Sequence, residues 1–96
     1  MMASVREAKS WSRHELILTF DLYCKTPFGK IHRRNPRVIA LAGAIARSPS
    51  AVALKMTNFA SLDPTLHQKG MSNASKMDRE IWEEFFLHWD SLIAAV

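Results

Sequence analysis

The chain has 96 residues, of which 48% are hydrophobic and 23% charged, the composition of one small globular domain rather than of a disordered chain. Its single cysteine, Cys24, excludes an internal disulfide framework, and no apolar run approaches the roughly 18 residues of a membrane span. Residues 1–10 lack the apolar core of a signal peptide. These features predict a cytoplasmic protein with a single domain over residues 1–96, of which 1–10 form a flexible N-terminus.

The first predicted helix begins after Ser12 and ends before Pro27. Ser12 and Glu15 have the spacing of a capping box, in which each residue's side chain accepts a hydrogen bond from the other's backbone amide. Apolar residues then recur at helical spacing as far as Cys24. Residues 26–34 follow as a basic loop.

Two further helices open with the same pair of signals, a capping residue followed by proline, at Asn35–Pro36 and at Ser48–Pro49. The gap between these helices is so short that the chain must turn sharply, as in a helix-turn-helix. Ala46 stands at the turn position where glycine is usual because φ is positive there. Alanine in that conformation costs about 1 kcal/mol. A turn with a different backbone conformation at Ala46 is therefore the alternative. The inward side chains of the third helix are predicted to be Val52, Met56 and Phe59.

A polar connector over residues 60–76 and an amphipathic helix over residues 78–96 complete the chain. Ser75 is the predicted cap of this helix, and its apolar stripe runs from Trp82 to Val96 without a stop signal. The connector is predicted to be anchored by Leu62, Leu66 and Met71. The predicted fold class is therefore all-α: a trihelical helix-turn-helix-like domain with an additional C-terminal amphipathic helix.

Positive charge is concentrated in the middle of the chain. The formal net charge is +4, but residues 22–77 carry nine bases against one acid, Asp63, whereas residues 78–96 carry one base against five acids. A cationic block of this kind favours a polyanionic partner, because phosphate contacts need lysine and arginine. On charge alone, a solvated basic surface that binds nothing remains the alternative.

The residue types needed for catalysis are scattered. The four histidines lie far apart, and one cysteine cannot supply a zinc-binding spacing. Phosphate-loop and dinucleotide fingerprints are missing, and Cys24 in an apolar helix is typical of a small buried hydrophobe. We therefore predict no enzymatic activity for this chain alone, no cofactor and no metal site.

Four blocks of the sequence resemble the N-terminal region of bacterial HNH-type restriction endonucleases. They are WSRHEL from Trp11, NPRVI from Asn35, RSPSAVALKMTNFASLDP from Arg47 and GMSNASKMDREIW from Gly70. A more distant likeness is to the N-terminal DNA-binding domain of modified-cytosine-dependent nucleases of the McrA type. The resemblance implies a DNA-reading module, with modified cytosine among its targets, whose nuclease domain with paired histidines and an asparagine lies outside this chain.

In a helix-turn-helix, the N-terminal residues of the second helix enter the major groove. Arginine and lysine in and around the turn would then meet phosphates or guanine, and asparagine could read adenine. Ser48 and Asn58 also have structural interpretations as helix caps, and for both residues the cap is favoured over a DNA contact. The predicted DNA-binding residues are Lys30, Arg33, Arg34, Arg37, Arg47, Ser48, Ser50, Lys55, Asn58, Lys69, Ser72, Asn73 and Lys76.

Other interpretations of the chain stay open. A flipped modified base would need stacking aromatic residues, and the candidates Trp11, Tyr23, Phe28 and Phe59 belong more often to a core. The predicted function is duplex DNA binding as the target-recognition module of an HNH-type endonuclease. The alternatives are a helical protein-interaction module, which could form a homodimer through the C-terminal helix, and a stand-alone transcriptional regulator.

Overall fold

The computed structural model describes residues 10–64 and 74–96, apart from the side chain of Trp89. In these ranges the structure is helical and has no strand, which confirms the predicted all-α fold class. The α-helices are α1 (Arg13–Cys24), α2 (Pro36–Ile45), α3 (Pro49–Ala60), α4 (Lys76–Phe85) and α5 (Trp89–Ala95). A single 3-10 turn, Phe28–Lys30, lies in the loop between α1 and α2.

The predicted start signals of the first three helices are confirmed. At α1 the Glu15 amide donates to Ser12 Oγ over 3.1 Å, and the Ser12 amide donates to Glu15 Oε1 over 2.9 Å. Asn35 caps α2 by accepting from the Arg37 amide, and Ser48 caps α3 by accepting from the Ala51 amide. Each cap satisfies an amide that the helix leaves without a partner and stabilises the fold by about 1 kcal/mol.

The turn between α2 and α3 is built with alanine in the conformation that glycine usually supplies. Ala46 has φ 59° and ψ 46°, in the left-handed region. The Arg47 amide donates to the Ala42 carbonyl over 2.9 Å, and the Ala46 amide donates to the Gly43 carbonyl over 3.4 Å. This pattern is a Schellman motif. It ends α2 and turns the chain through 107° into α3, an angle typical of a helix-turn-helix.

The core lies where α1 meets the other helices. Phe20 of α1 is fully buried, and the rings of Phe59 and Trp82 meet it edge-on at centroid distances of 5.3 and 5.5 Å. The predicted inward residues Val52, Met56 and Phe59 are each 0% exposed. These aromatic contacts hold α3 and α4 against α1, so that the opposite side of α3 faces outward.

The C-terminal segment differs from the predicted single helix over 78–96. The helix begins earlier, at Lys76, because Ser75 and Asp78 form a second capping box. It then ends at Phe85, and Leu87 takes a left-handed φ of 67° before α5 begins. A straight helix of about 20 residues would be about 30 Å long and would extend past this small core. The break lets α5 fold back on α1 and α4, with Leu92 buried.

The rest of the predicted connector is only partly described. Leu62 packs against the core as predicted, whereas Leu66 and Met71 lie outside the described residues, as do residues 1–9 of the predicted N-terminus. Among the described residues no single helix is long and apolar enough to span a membrane. Of the described helices, only α2 and α3 together have that length and apolar composition, and they are bent by 107°.

Replacement of the strained turn residue should stabilise the protein. Ala46→Gly removes the cost of a side chain in the left-handed region, and we expect the free energy of unfolding to rise by about 1 kcal/mol. Ala40→Gly, at an exposed position inside α2, is the matched control and should cost about 1 kcal/mol. Urea unfolding measures both. Equal losses in the two variants would contradict a left-handed Ala46.

Candidate nucleic-acid interface

The strongest surface feature is a run of cations over residues 25–37, which we call the basic segment. It contains no acidic residue, and all five of its cations are exposed: Lys25, Lys30, Arg33, Arg34 and Arg37. It starts at the C-cap of α1, crosses the 3-10 turn and ends in the first turn of α2. Lys25 forms an exposed ion pair with Asp21 at 2.9 Å. The other four form no ion pair with a described residue, so their charge faces solvent.

A surface cleft of about 440 Å³ lies within the basic segment. Its lining residues are Lys25, Thr26, Pro27, Lys30, Asn35, Pro36 and Arg37. Asn35 joins the two sides of this cleft, because its Nδ2 donates to the Lys30 carbonyl over 2.9 Å while its Oδ1 accepts from the Arg37 amide. The positive end of the α2 dipole lies at the same place. The cleft therefore combines cationic side chains with a helix N-terminus, which favours an anionic group.

The outward side of α3 is neutral. Ser50, Leu54 and Thr57 follow one another at spacings of four and three, and all are exposed; we call them the outer face of α3. They lie opposite the buried Val52, Met56 and Phe59, as the helical period requires. The sequence suggested Ser50 as a DNA contact, and Thr57 as a candidate further along the helix, but Leu54 was not predicted. The period counted from the three inward residues would have found it.

Arg47 has a structural role in place of the predicted DNA contact. Its side chain is 2% exposed and forms an ion pair with Glu15, Nη2 to Oε1, at 2.9 Å. The same Nη2 donates to the Ser10 carbonyl over 2.9 Å, and the guanidinium lies 4.3 Å from the centroid of the Trp11 ring. The arginine thus fastens the turn to the start of α1, and no duplex can reach it in this conformation.

Lys55 likewise forms an internal ion pair. Its Nζ donates to both carboxylate oxygens of Asp78 over 3.1 Å, with side chains 12% and 0% exposed. The ammonium group also lies 5.2 Å from the centroid of the Trp11 ring. Lys55 therefore joins α3 to α4 and is not available for a phosphate, which corrects its predicted role.

Two more predicted contacts have structural explanations. Asn58 is buried, at 9% exposure, because its position on α3 faces the packed side rather than the outer face. It neither reads a base in this conformation nor caps the helix, since Ser61 is the C-cap of α3. Ser48 is the N-cap of α3, as the structural interpretation predicted.

The remaining predicted site residues fall in two groups. Lys69, Ser72 and Asn73 lie outside the described residues. Lys76 is exposed at the first position of α4, at a distance along the chain from the basic segment.

The four aromatic candidates do not form a base pocket. Tyr23 and Phe59 belong to the core, and Trp11 is half-buried beneath Arg47. Phe28 is 44% exposed, whereas Ile31 of the same loop packs against the core. A single exposed aromatic side chain cannot stack a flipped base on both faces.

Cys24 lacks the environment of a nucleophile. Burial raises the pKa of its thiol to about 12, so the unreactive protonated form prevails at neutral pH. Its neighbour Tyr23 donates its hydroxyl to Asp63 Oδ2 over 2.6 Å, and burial together with this bond raises the pKa of that hydroxyl. Over residues 10–64 and 74–96, no group of three histidine, cysteine or carboxylate side chains is placed to hold a metal ion.

The described surface contains two chemically different regions, one cationic and one with uncharged polar groups. The basic segment presents five exposed cations, the groups that phosphate contacts need, while the outer face of α3 presents two hydroxyls and one hydrocarbon side chain. Comparison with known proteins gave no match to any protein-family model, curated protein or solved structure.

Loss of Lys55 should destabilise the fold because it leaves the Asp78 carboxylate buried without its cation. We expect Lys55→Met to lower the free energy of unfolding by about 3 kcal/mol. Lys30→Met removes an exposed lysine without an ion pair among the described residues and should change it by less than about 0.5 kcal/mol. Thermal and urea unfolding test the pair. A Lys55→Met protein as stable as the Lys30→Met control would exclude the internal ion pair.

Glu15 should make stability depend on pH. Burial raises the pKa of its carboxyl, but the Ser12 amide and the Arg47 guanidinium lower it by more, so that the net value lies below the ordinary 4.5. A carboxyl whose pKa is depressed by folding stabilises the protein above its unfolded pKa, and this contribution is lost as the pH falls through the folded value.

Glu15→Gln should therefore be less stable than the parent by about 2 kcal/mol at pH 7, and the difference should shrink as the pH falls below about 4.5. Urea unfolding at pH 7, 5, 4 and 3 follows this convergence. Glu83→Gln, at an exposed carboxyl of α4, is the control. A difference for Glu15→Gln that stays constant with pH would show that its carboxylate is not charge-paired.

Proposed function

We propose that the protein binds duplex DNA, with the basic segment on the phosphate backbone and the outer face of α3 toward the base edges in the major groove. The observation that carries this proposal is the position of an exposed, acid-free basic segment at the start of a helix pair with a 107° turn. The two surfaces correspond to the two tasks of a DNA reader, which are backbone positioning and base readout.

The backbone contact is supported by where the cations lie. In homeodomains, another trihelical class of DNA-binding domain, the loop between the first two helices contacts the phosphate backbone. Here that loop is the basic segment, and four of its five cations have no ion pair with a described residue. Since no carboxylate competes for them, they can neutralise phosphates and release counterions.

Base readout is supported by the fixed orientation of α3. The helix is capped by Ser48, held by the Arg47–Glu15 and Lys55–Asp78 ion pairs, and turned so that its packed residues face α1. Ser50 lies in the first turn, the part of a recognition helix that approaches base edges. Because these contacts fix α3 against α1 and α4, we expect the helix to keep its orientation when it enters a groove.

The resemblance to the N-terminal region of HNH-type endonucleases gives this binding a role. In the proposed arrangement, the chain recognises a DNA target and a separate nuclease domain cuts it. The described residues contribute no catalytic step to this scheme, so the proposal for this chain is binding alone.

The contribution of the basic segment can be measured through salt dependence. Removal of two phosphate contacts by Arg33→Gln/Arg34→Gln should reduce the slope of log K against log salt concentration by about 2 in magnitude, because each contact contributes about 0.9. Fluorescence anisotropy with a labelled random-sequence duplex at 50–200 mM salt measures this slope.

The control for this titration is Arg13→Gln, at an exposed arginine that pairs with Glu84 at 2.6 Å. This variant should keep the slope of the parent protein. Failure of the parent to bind any duplex even at 50 mM salt would refute the proposed function, and equal slopes in all three proteins would refute the assignment of the basic segment.

A second candidate function, self-association through α5, is favoured by apolar side chains that face solvent. Leu87 and Ile93 are each 71% exposed and Val96 is 50% exposed. Sedimentation velocity separates the two functions. A monomer that binds duplex at all concentrations supports DNA binding alone, whereas a stable dimer indifferent to duplex supports self-association.

A further inference from the structure

Leu54 is an apolar side chain at the centre of a surface that carries otherwise only hydroxyl groups. It is 60% exposed, the most exposed of the large hydrophobic residues on α1 to α4 in the described chain. It lies four residues after Ser50 and three before Thr57, so the three side chains share one face. The neighbouring residues Val52 and Met56 fill the core, so the packing of α3 does not account for a leucine at this position.

The polar groups beside Leu54 restrict what the outer face can read. Thr57 donates its hydroxyl to the Ala53 carbonyl over 3.0 Å, which leaves its oxygen as an acceptor. No arginine or lysine lies among the three residues of the outer face, and the bidentate contact that selects guanine needs one of these. The outer face can thus offer hydroxyl hydrogen bonds and one hydrocarbon surface.

The major groove contains one hydrocarbon group that such a surface recognises, the C5-methyl of a pyrimidine. We propose that Leu54 is a specificity-determining residue that reads this methyl group, with the hydroxyls of Ser50 and Thr57 on the adjacent base edges. This inference rests on the proposed function, since it requires α3 to enter the major groove. Thymine supplies the methyl group in ordinary DNA, and 5-methylcytosine presents the same group at the same place.

The test needs DNA in which only the methyl group changes. Duplexes are first selected by the protein from a random pool, and the selected pool is then copied with thymine, with uracil in place of thymine, or with 5-methylcytosine in place of cytosine. Uracil lacks the C5-methyl and keeps the pairing edge. Anisotropy titrations of the three copies are made with the parent protein and with Leu54→Ala.

We expect the parent to bind the uracil copy roughly fourfold more weakly than the thymine copy for each methyl group contacted. This factor corresponds to the burial of one hydrocarbon group, about 0.8 kcal/mol of binding free energy. Leu54→Ala should bind both copies alike, because the difference belongs to the pair of leucine and methyl. If the parent instead gains affinity for the 5-methylcytosine copy, and Leu54→Ala does not, the methyl group read is that of the modified base.

Met77→Ala is the matched control, because it removes an exposed apolar side chain from α4, outside the two proposed DNA-binding surfaces and outside α5. It should keep the methyl dependence of the parent. Circular dichroism checks that both variants keep the helical fold, as the exposure of the two residues predicts.

Two results would overturn the inference in distinguishable ways. Parent binding that is equal for all three copies and unaffected by Leu54→Ala would reject methyl reading while duplex binding stands. No binding to any selected or random duplex at low salt would reject the proposed function itself, and the inference with it.

Discussion

Two internal ion pairs around one tryptophan fix the orientation of α3. Arg47 reaches Glu15 at the start of α1, Lys55 reaches Asp78 at the start of α4, and both cations lie over the Trp11 ring. Glu15 and Asp78 also belong to the capping boxes at the starts of α1 and α4. The same two carboxylates therefore stabilise the starts of these helices and hold α3 in place. A buried cation without its partner would strongly destabilise the fold. These pairs therefore fix the rotation of α3 about its axis and direct Ser50, Leu54 and Thr57 outward.

The same ion pairs divide the positive charge of the chain into two kinds. Arg47 and Lys55 are neutralised inside the protein and stabilise it, whereas the cations of the basic segment remain in solvent. The cationic block that the sequence displays over residues 22–77 is therefore larger than the cationic surface that the fold presents in its described part. In the described part of the chain, the exposed positive charge is therefore concentrated in residues 25–37, whereas the outer face of α3 carries none.

Local signals in the sequence were enough to predict the first three helices and their turn. Caps such as Ser12, Asn35 and Ser48 act within three residues of themselves, so their geometry is encoded where it occurs. The partners of Arg47 and Lys55 could not be predicted in this way, because Glu15 and Asp78 lie 32 and 23 residues away along the chain. Ion pairs between residues far apart in the sequence depend on how the helices pack, and no local sequence pattern predicts them.

The break after Phe85 was also beyond local prediction. The apolar stripe from Trp82 onward continues at helical spacing, and Leu87 is a residue that rarely adopts a positive φ. The advantage of the break is tertiary, since it lets α5 return to α1 and bury Leu92. In the site, the sequence displayed the concentration of positive charge, but it could not separate the exposed cations of residues 25–37 from the internal Arg47 and Lys55.

The most direct test of duplex binding through these two surfaces is a two-dimensional amide NMR titration of the labelled protein with a short duplex at low salt. We expect the shifted amides to concentrate in residues 25–37 and on the outer face of α3, while the amide resonances of α4 and α5 keep their positions. Shifts confined to α4 and α5, or a spectrum unchanged by excess duplex, would contradict binding through these two surfaces.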